Sequence, residues 1–383
     1  MNKVKLGIIG IGNMGTNHVK SIMDGQCPQI ELVAVADTNP DRLAWAEETY
    51  PEIKRFDTAE AMLDSGLLDA CLVAVPHYDH PHFAMECFKR HIHVMVEKPA
   101  GVYTKQVREM NEMAENSGVV FGMMFNQRTN PLYIKMRELI QSGEFGEIRR
   151  TNWVITAWYR SQEYYDSGAW RATWSGEGGG VLMNQAPHNL DLWQWICGMP
   201  KTIEAKMHFG KWHNIEVEDD VTAYVEYPNG ATGVFITSTG DHPGTNRFEV
   251  TLEKGRLIAE GKTLTITRLN SSLKGFKAGK GSFSSPEKTE EVITFPDRGT
   301  KHPGILNAFA KSILEGTSLL ANGEEGINGL TLSNAMHLSS FTGKPVTLPL
   351  DEDLYYEELM KRVKTSRRKE NVRTVIADTE GTY

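Results

Sequence analysis

The apolar run Val4–Ile9 leads directly into Gly10-Ile11-Gly12-Asn13-Met14-Gly15, and a helix-like stretch follows Asn13. A strand, a GxGxxG turn and a helix in that order leave few folds open. Gly10 permits the tight turn, Gly12 lets the backbone come close to a pyrophosphate, and Gly15 allows the helix to pack against the strand. The N-terminus of such a helix offers unpaired N–H groups and a partial positive charge to an anion. Asp37 ends the next apolar run, in VAVADTNPDR. A carboxylate there accepts hydrogen bonds from the two ribose hydroxyls of an adenosine and repels an added phosphate. The segment therefore reads as a dinucleotide site with NAD as cofactor in preference to NADP. Arg42 lies close enough to favour a phosphate instead.

Short apolar runs and amphipathic stretches continue to alternate through the first third. Glu31–Ala36, Ala70–Val75, His91–Val96 and Val119–Gly122 are expected as strands; Asp41–Thr49, His82–Arg90 and Lys105–Asn116 are expected as helices. That alternation specifies a parallel sheet covered on both faces. The pattern changes after residues 123–130. Helices are expected at Pro131–Gln141, Val181–Trp195, Ile305–Leu314 and Glu324–Ser340, and a long aromatic strand at Glu147–Tyr159. Further strands follow at Ile203–Phe209, Val221–Tyr227, Ala231–Thr239, Arg247–Leu252 and Thr263–Thr267, with a hairpin turn at Pro228-Asn229-Gly230. Ser271–Glu287 reads as an exposed loop. The expected class is α/β: an N-terminal Rossmann domain with a doubly wound parallel sheet, residues 1–125, and a C-terminal α+β domain with a large, mostly antiparallel sheet, residues 126–350. Residues 351–383 form a C-terminal extension, whose basic stretch Lys361–Arg373 reads as a solvated helix face or frayed end.

The 383 residues suit two domains, and the net charge of −8 disfavours nucleic acid as a partner. No run reaches the length of a membrane span. Cys27, Cys71, Cys87 and Cys197 form no CxxC pair and sit in apolar surroundings, which points to buried thiols in a cytoplasmic protein. Pro76 and His77 follow the third clear strand, where ligands sit in open α/β sheets, so His77 and His80 are candidates for cofactor contact. With His82 they make a histidine cluster, but no carboxylate completes a metal site, and no metal is expected.

HVMVEKPAG, containing Glu97-Lys98-Pro99, follows another strand of the same unit. Together with Gly178-Gly179-Gly180-Val181-Leu182-Met183-Asn184-Gln185-Ala186-Pro187-His188-Asn189-Leu190-Asp191, it resembles the glucose–fructose oxidoreductase and inositol dehydrogenase (Gfo/Idh/MocA) family. The resemblance implies an NAD(P)-dependent dehydrogenase acting on a ring hydroxyl of a sugar, glycoside or cyclitol. It implies a homo-oligomer, dimer or tetramer, with the antiparallel sheet as the subunit contact. Oxidising an alcohol needs a base and a group that stabilises developing alkoxide charge. Lys98 suits the second task and can relay a proton; His188 suits the first. Asn184 lies four residues before His188, so one helix would present both on one face. Many relatives carry Asp where Asn184 stands; an amide orients a hydroxyl but accepts no proton. Glu97, Trp170 and Arg171 resemble segments against the cofactor. Arg128, in FNQRTNP, either contacts substrate or pairs with an acid.

Trp153, Trp158, Tyr159, Tyr164, Tyr165, Trp170 and Trp174 form an aromatic stretch suited to a sugar face, to core or to an interface. Two other functions compete with a dehydrogenase. One is a redox-neutral glycosidase that oxidises, eliminates and returns the hydride to the ring; the other is a non-catalytic dinucleotide-binding regulator.

Overall fold

The computed structural model describes residues 3–277, 283–367, 369 and 372. Six strands form the first sheet: β1 (Val4–Ile9), β2 (Ile30–Ala36), β3 (Lys54–Phe56), β4 (Ala70–Val73), β5 (His93–Val96) and β6 (Phe121–Met123). They stand in the order β3-β2-β1-β4-β5-β6, and every neighbouring pair is parallel. Strand order reverses between β1 and β4, so a ligand crevice opens at their carboxyl ends. β4 and the strands beside it are buried on both faces, which is why they read as unbroken apolar runs. β3 was not legible as a strand, because it is three residues long and half exposed.

The second sheet holds nine strands: β7 (Ile148–Ile155), β8 (Thr202–Phe209), β9 (Glu218–Glu226), β10 (Thr232–Ser238), β11 (Asn246–Leu252), β12 (Gly255–Glu260), β13 (Thr263–Leu269), β14 (Lys288–Thr294) and β15 (Val346–Thr347). Their order is β14-β13-β12-β11-β7-β10-β9-β8-β15. All neighbours are antiparallel except β7 and β10. The expected hairpin joins β9 to β10. Gly230 takes φ +81°, and the Asn229 side chain accepts from Ala231 N at 3.0 Å. One sheet face carries the core, where Trp153 stacks on Phe248 at 4.2 Å and Trp193 on Phe235 at 5.3 Å. The other face is polar, with Tyr224 among its exposed side chains.

The last third of the chain serves both domains. Helix Lys301–Glu315 returns to the parallel sheet, where Asn307 donates to Gln26 O at 2.9 Å. Helix Gly326–Thr342 brings Asn334 to the loop after β5, donating to Val102 O and accepting from Thr104 N, each at 3.0 Å. Helix Glu352–Thr365 pairs with helix Thr104–Glu115 through Arg108–Glu352 and Lys105–Asp353. The expected solvated or frayed tail is thus anchored over its described part. Ser366 meets Glu216 and the backbone of Ser175, and Lys369 Nζ donates to Tyr165 O at 2.6 Å. Residues 368, 370, 371 and 373 of that basic stretch, and residues 278–282 of the Ser271–Glu287 loop, lie outside the described residues.

Candidate active site

The Gly-rich turn has the geometry its residues imply. Gly10 has φ +86°, and a Cβ on Gly15 would stand 1.9 Å from Gly10 O. A Cβ on Gly12 would meet nothing within 4 Å. The space above Gly12 is therefore open to a ligand, while the two flanking glycines are closed in by the fold. Helix Asn13–Met23 starts there with no side-chain cap and no acid in its first turn, leaving the first N–H groups for phosphate oxygens. Met14 lies in that first turn. Asp37 accepts from Ile11 N and Asn39 N, each at 2.8 Å, which fixes its carboxylate and leaves lone pairs for ribose hydroxyls. Arg42 donates to Ile11 O at 2.8 Å and Thr16 Oγ1 at 2.7 Å and stacks on Trp45, so the guanidinium is held beneath the turn. These groups fit a dinucleotide.

At the carboxyl ends of β4 and β5, Pro76 and His77 begin a short turn, and Lys98 follows β5. His77 contacts the Trp170 ring at 5.9 Å, and its Nδ1 lies 3.3 Å from Glu177 O. His80 is 1% exposed and spans Val75 O at 2.8 Å and Pro99 O at 2.6 Å. It was expected against the cofactor; the structure uses it to hold the Lys98 loop to the end of β4. Glu97 needs the same correction, since its carboxylate points inward to His18 Nε2 at 2.7 Å and accepts from Lys98 N at 3.1 Å. Burial works to raise the Glu97 pKa, but His18, His302 and Lys98 outweigh it and bring it down to about 2.

The second motif does not form one helix. Gly180–Ala186 makes turns, and the helix begins only at Pro187 and runs to Cys197. Proline lacks the N–H a continuing helix needs and drives the residue before it out of the helical region, so a single element over Val181–Trp195 is broken. Asn184 therefore lies ahead of the helix that carries His188. The turn is anchored by Glu218, which accepts from Gly180 N at 2.8 Å and Leu182 N at 3.0 Å. It brings Asn184 to Lys98, whose Nζ donates to Asn184 O at 3.0 Å. His188 is 1% exposed; burial above all, then the charges of Lys98 and His302, hold its pKa well below the usual histidine value.

Of the two readings open to Arg128, contact with substrate and pairing with an acid, the structure shows the second. Arg128 is 1% exposed and grips Asp191 with two hydrogen bonds, Nε–Oδ2 at 2.9 Å and Nη2–Oδ1 at 2.6 Å, and it also pairs with Glu325. The aromatic stretch divides in the same way. Trp153, Tyr165 and Trp174 are core, whereas Trp158, Tyr164 and Trp170 stay partly open around Arg160 and Arg171. Glu177 was missed. It is buried between Arg171 and Asn184, accepts from Ala172 N at 2.5 Å and from Asn184 Nδ2, and carries a pKa raised chiefly by burial. The one sequence signal for it was a lone carboxylate ahead of three glycines. Among the described residues no group of three His, Cys, Asp or Glu side chains could hold a metal, and no helix is long and apolar enough to cross a membrane.

A glycine-turn crevice at the switch point of a parallel sheet, followed by a mostly antiparallel sheet, is the arrangement of a nicotinamide oxidoreductase. Residues 4–125 match the oxidoreductase-family model with an NAD-binding Rossmann fold, and residues 133–258 match the GFO/IDH/MocA C-terminal domain. The chain belongs to the Gfo/Idh/MocA family of oxidoreductases. It is 26% identical over 372 residues to the D-glucoside 3-dehydrogenase of Escherichia coli, covering 90% of this chain and 97% of that one. It is 27% identical over 202 residues to the rhizopine catabolism protein MocA of Rhizobium meliloti, across 53% of this chain and 60% of that one. The WlbA dehydrogenase of Bordetella pertussis, solved with NADH and UDP-GlcNAcA, superposes with a TM-score of 0.77 at 26% identity over 92% of this chain and 99% of that one.

Proposed function

We propose that the enzyme oxidises a ring hydroxyl of a sugar, glycoside or cyclitol, with NAD as hydride acceptor. The observation that carries this reading is the contact of Lys98 Nζ with Asn184 O, which joins the two motifs beside the nucleotide crevice. Bound nicotinamide supplies the hydride acceptor. Lys98 Nζ stabilises the oxygen from which the hydroxyl proton departs, and Asn184 orients the substrate. The His188 imidazole is neutral at pH 7 and able to accept that proton, since burial disfavours its cation. Trp158 and Tyr164 offer aromatic faces to the C–H side of a ring. The relatives named as a glucoside 3-dehydrogenase and a WlbA dehydrogenase solved with NADH and UDP-GlcNAcA support a pyranoside.

Turnover across a panel of glycosides, nucleotide sugars and inositols, followed as NADH formation, tests the reading. Lack of NADH with every class would remove it. His188 also sets a pH signature. Its depressed pKa places any acid limb in kcat/KM that belongs to it below pH 6.5, the ordinary histidine value. A limb at or above that pH would contradict a neutral His188 base.

The choice of NAD is supported by Asp37, a carboxylate that would repel an added phosphate, and by Arg42, which the turn already holds. Asp37→Ser is expected to raise KM for NAD by about tenfold, the worth of a lost charge-assisted hydrogen bond, and to narrow the preference over NADP. Equal use of NADP by the wild type would refute the choice. The polar outer face of the nine-stranded sheet is the surface we assign to self-association, and the mass in solution checks it as a dimer or tetramer.

A further inference from the structure

The acceptor that Asn184 presents to substrate depends on which way its amide faces, and its buried neighbours decide that. Asn184 Nδ2 donates to Glu177 Oε1, while Asn184 Oδ1 receives Tyr164 Oη at 3.2 Å and Gln185 Nε2 at 3.2 Å. Glu177 cannot move to suit the amide. It is 1% exposed, and its second oxygen takes the N–H of Ala172, a residue in the left-handed region at φ +55°. Burial raises the Glu177 pKa, while Arg171 and the N–H donors of Ala172 and Asn184 favour the ionised form; ionised, the carboxylate is acceptor-only, and the amide atom that faces it is the NH2 group.

We propose that Glu177 is a positioning residue: it locks the Asn184 amide with Oδ1 toward the substrate, so that the site accepts a substrate hydroxyl at the point now taken by the Tyr164 hydroxyl. The inference rests on the dehydrogenase reading and goes beyond it by assigning the polarity of the substrate contact. The hydroxyl at that contact must donate. A substrate whose corresponding position carries only an acceptor, such as an O-methyl ether, is discriminated against, because Asn184 Oδ1 would face a second acceptor.

Chemistry gives the test its sign. In Glu177→Gln the introduced amide keeps its oxygen with the buried Ala172 N–H, so its NH2 group turns to Asn184. Asn184 must then turn Oδ1 inward and NH2 toward substrate, replacing an acceptor by a donor. In the double variant Glu177→Gln/Asn184→Asp, one oxygen of the introduced carboxylate takes the new glutamine NH2 and the other faces substrate as an acceptor again. Asn184→Asp alone sets two carboxylates against each other near Arg171, Glu218, His77 and Lys98. Like charges at that distance make one group hold a proton, which rebuilds the hydrogen bond at low pH.

The experiment is steady-state kinetics on the full chain, with a glycoside that the wild type oxidises and with its O-methyl analogue, and with the fold of each variant checked by circular dichroism. Glu177→Gln is expected to lose about 30-fold in kcat/KM for the glycoside, mostly in KM, and the double variant to recover to within about threefold of wild type, a coupling typical of contacting pairs. Asn184→Asp is expected to be more active at pH 5.5 than at pH 8 relative to wild type (roughly a tenfold change in ratio) as the shared proton is lost. That profile carries the test should Glu177→Gln fail to fold. Additive losses in the double variant, or an Asn184→Asp profile parallel to wild type, overturn the assignment and leave Glu177 with a structural role. A wild type that oxidises none of the panel overturns this inference together with the dehydrogenase reading, so the two failures are told apart.

Discussion

Lys98→Ala is expected to lower kcat by about three orders of magnitude while dinucleotide binding survives. The size follows from loss of charge stabilisation at the reacting oxygen, which for one preorganised donor is worth about two to three orders of magnitude in kcat. Survival of cofactor binding follows from the separation of tasks in the fold. The groups proposed to hold the nucleotide, namely the glycine turn, Asp37 and the helix N-terminus, follow β1 and β2, whereas Lys98 lies on the loop after β5. Titrating NADH by fluorescence and following turnover with the same preparation separates the two. An alanine variant with near wild-type kcat would remove Lys98 from the chemistry. One that no longer binds NADH would show that the lysine acts through the cofactor.

Arg128→Met is expected to damage the fold more than the kinetics. The side chain fits the volume but removes the charge that compensates Asp191, and both are 1% exposed. Leaving one partner of a buried pair behind costs about 3–5 kcal/mol. Arg128 also pairs with Glu325 and lies between the Phe125 and Trp195 rings, so three segments meet at it: the crossover from β6, the His188 helix and the turn before Gly326. The melting temperature should fall by about 5 °C or more for a chain of this size. An added Asp191→Leu substitution should restore part of the loss, because it removes the uncompensated charge. Unchanged melting with a large rise in sugar KM would instead return Arg128 to the substrate site.

The Rossmann half was legible in the sequence because its strands are buried on both faces and its turn chemistry is local. Gly10, Gly15 and Asp37 are required by contacts within one strand–turn–helix–strand unit, and such needs are written in consecutive residues. Elements with weaker signals escaped. β3 is too short, β12 follows β11 after a tight turn, and β14 is an exposed edge made largely of charged and hydroxyl side chains. The Asn184–His188 helix was misjudged because helical spacing outweighed Pro187, although proline in first position marks a start.

The site was legible where a motif carried it and hidden where it depended on long-range contact. Lys98 meets Asn184 across 86 positions of sequence, and His18 meets Glu97 across 79. No local pattern foretells either meeting. The family resemblance located both motif halves, and the structure shows what joins them. Arg128 and Glu97 look alike in sequence to charged groups that face a ligand; burial and partner, visible only in the fold, turn them inward. Glu177 is the reverse case, a single acid whose meaning depends wholly on the residues folded around it.

The most direct test of a ring-hydroxyl dehydrogenase is a paired assay on one chromogenic glycoside with NAD, reading NADH and free chromophore in the same cuvette. Stoichiometric NADH with an oxidised glycoside still intact is expected. Chromophore release without accumulation of NADH would contradict it and establish a redox-neutral glycosidase in its place.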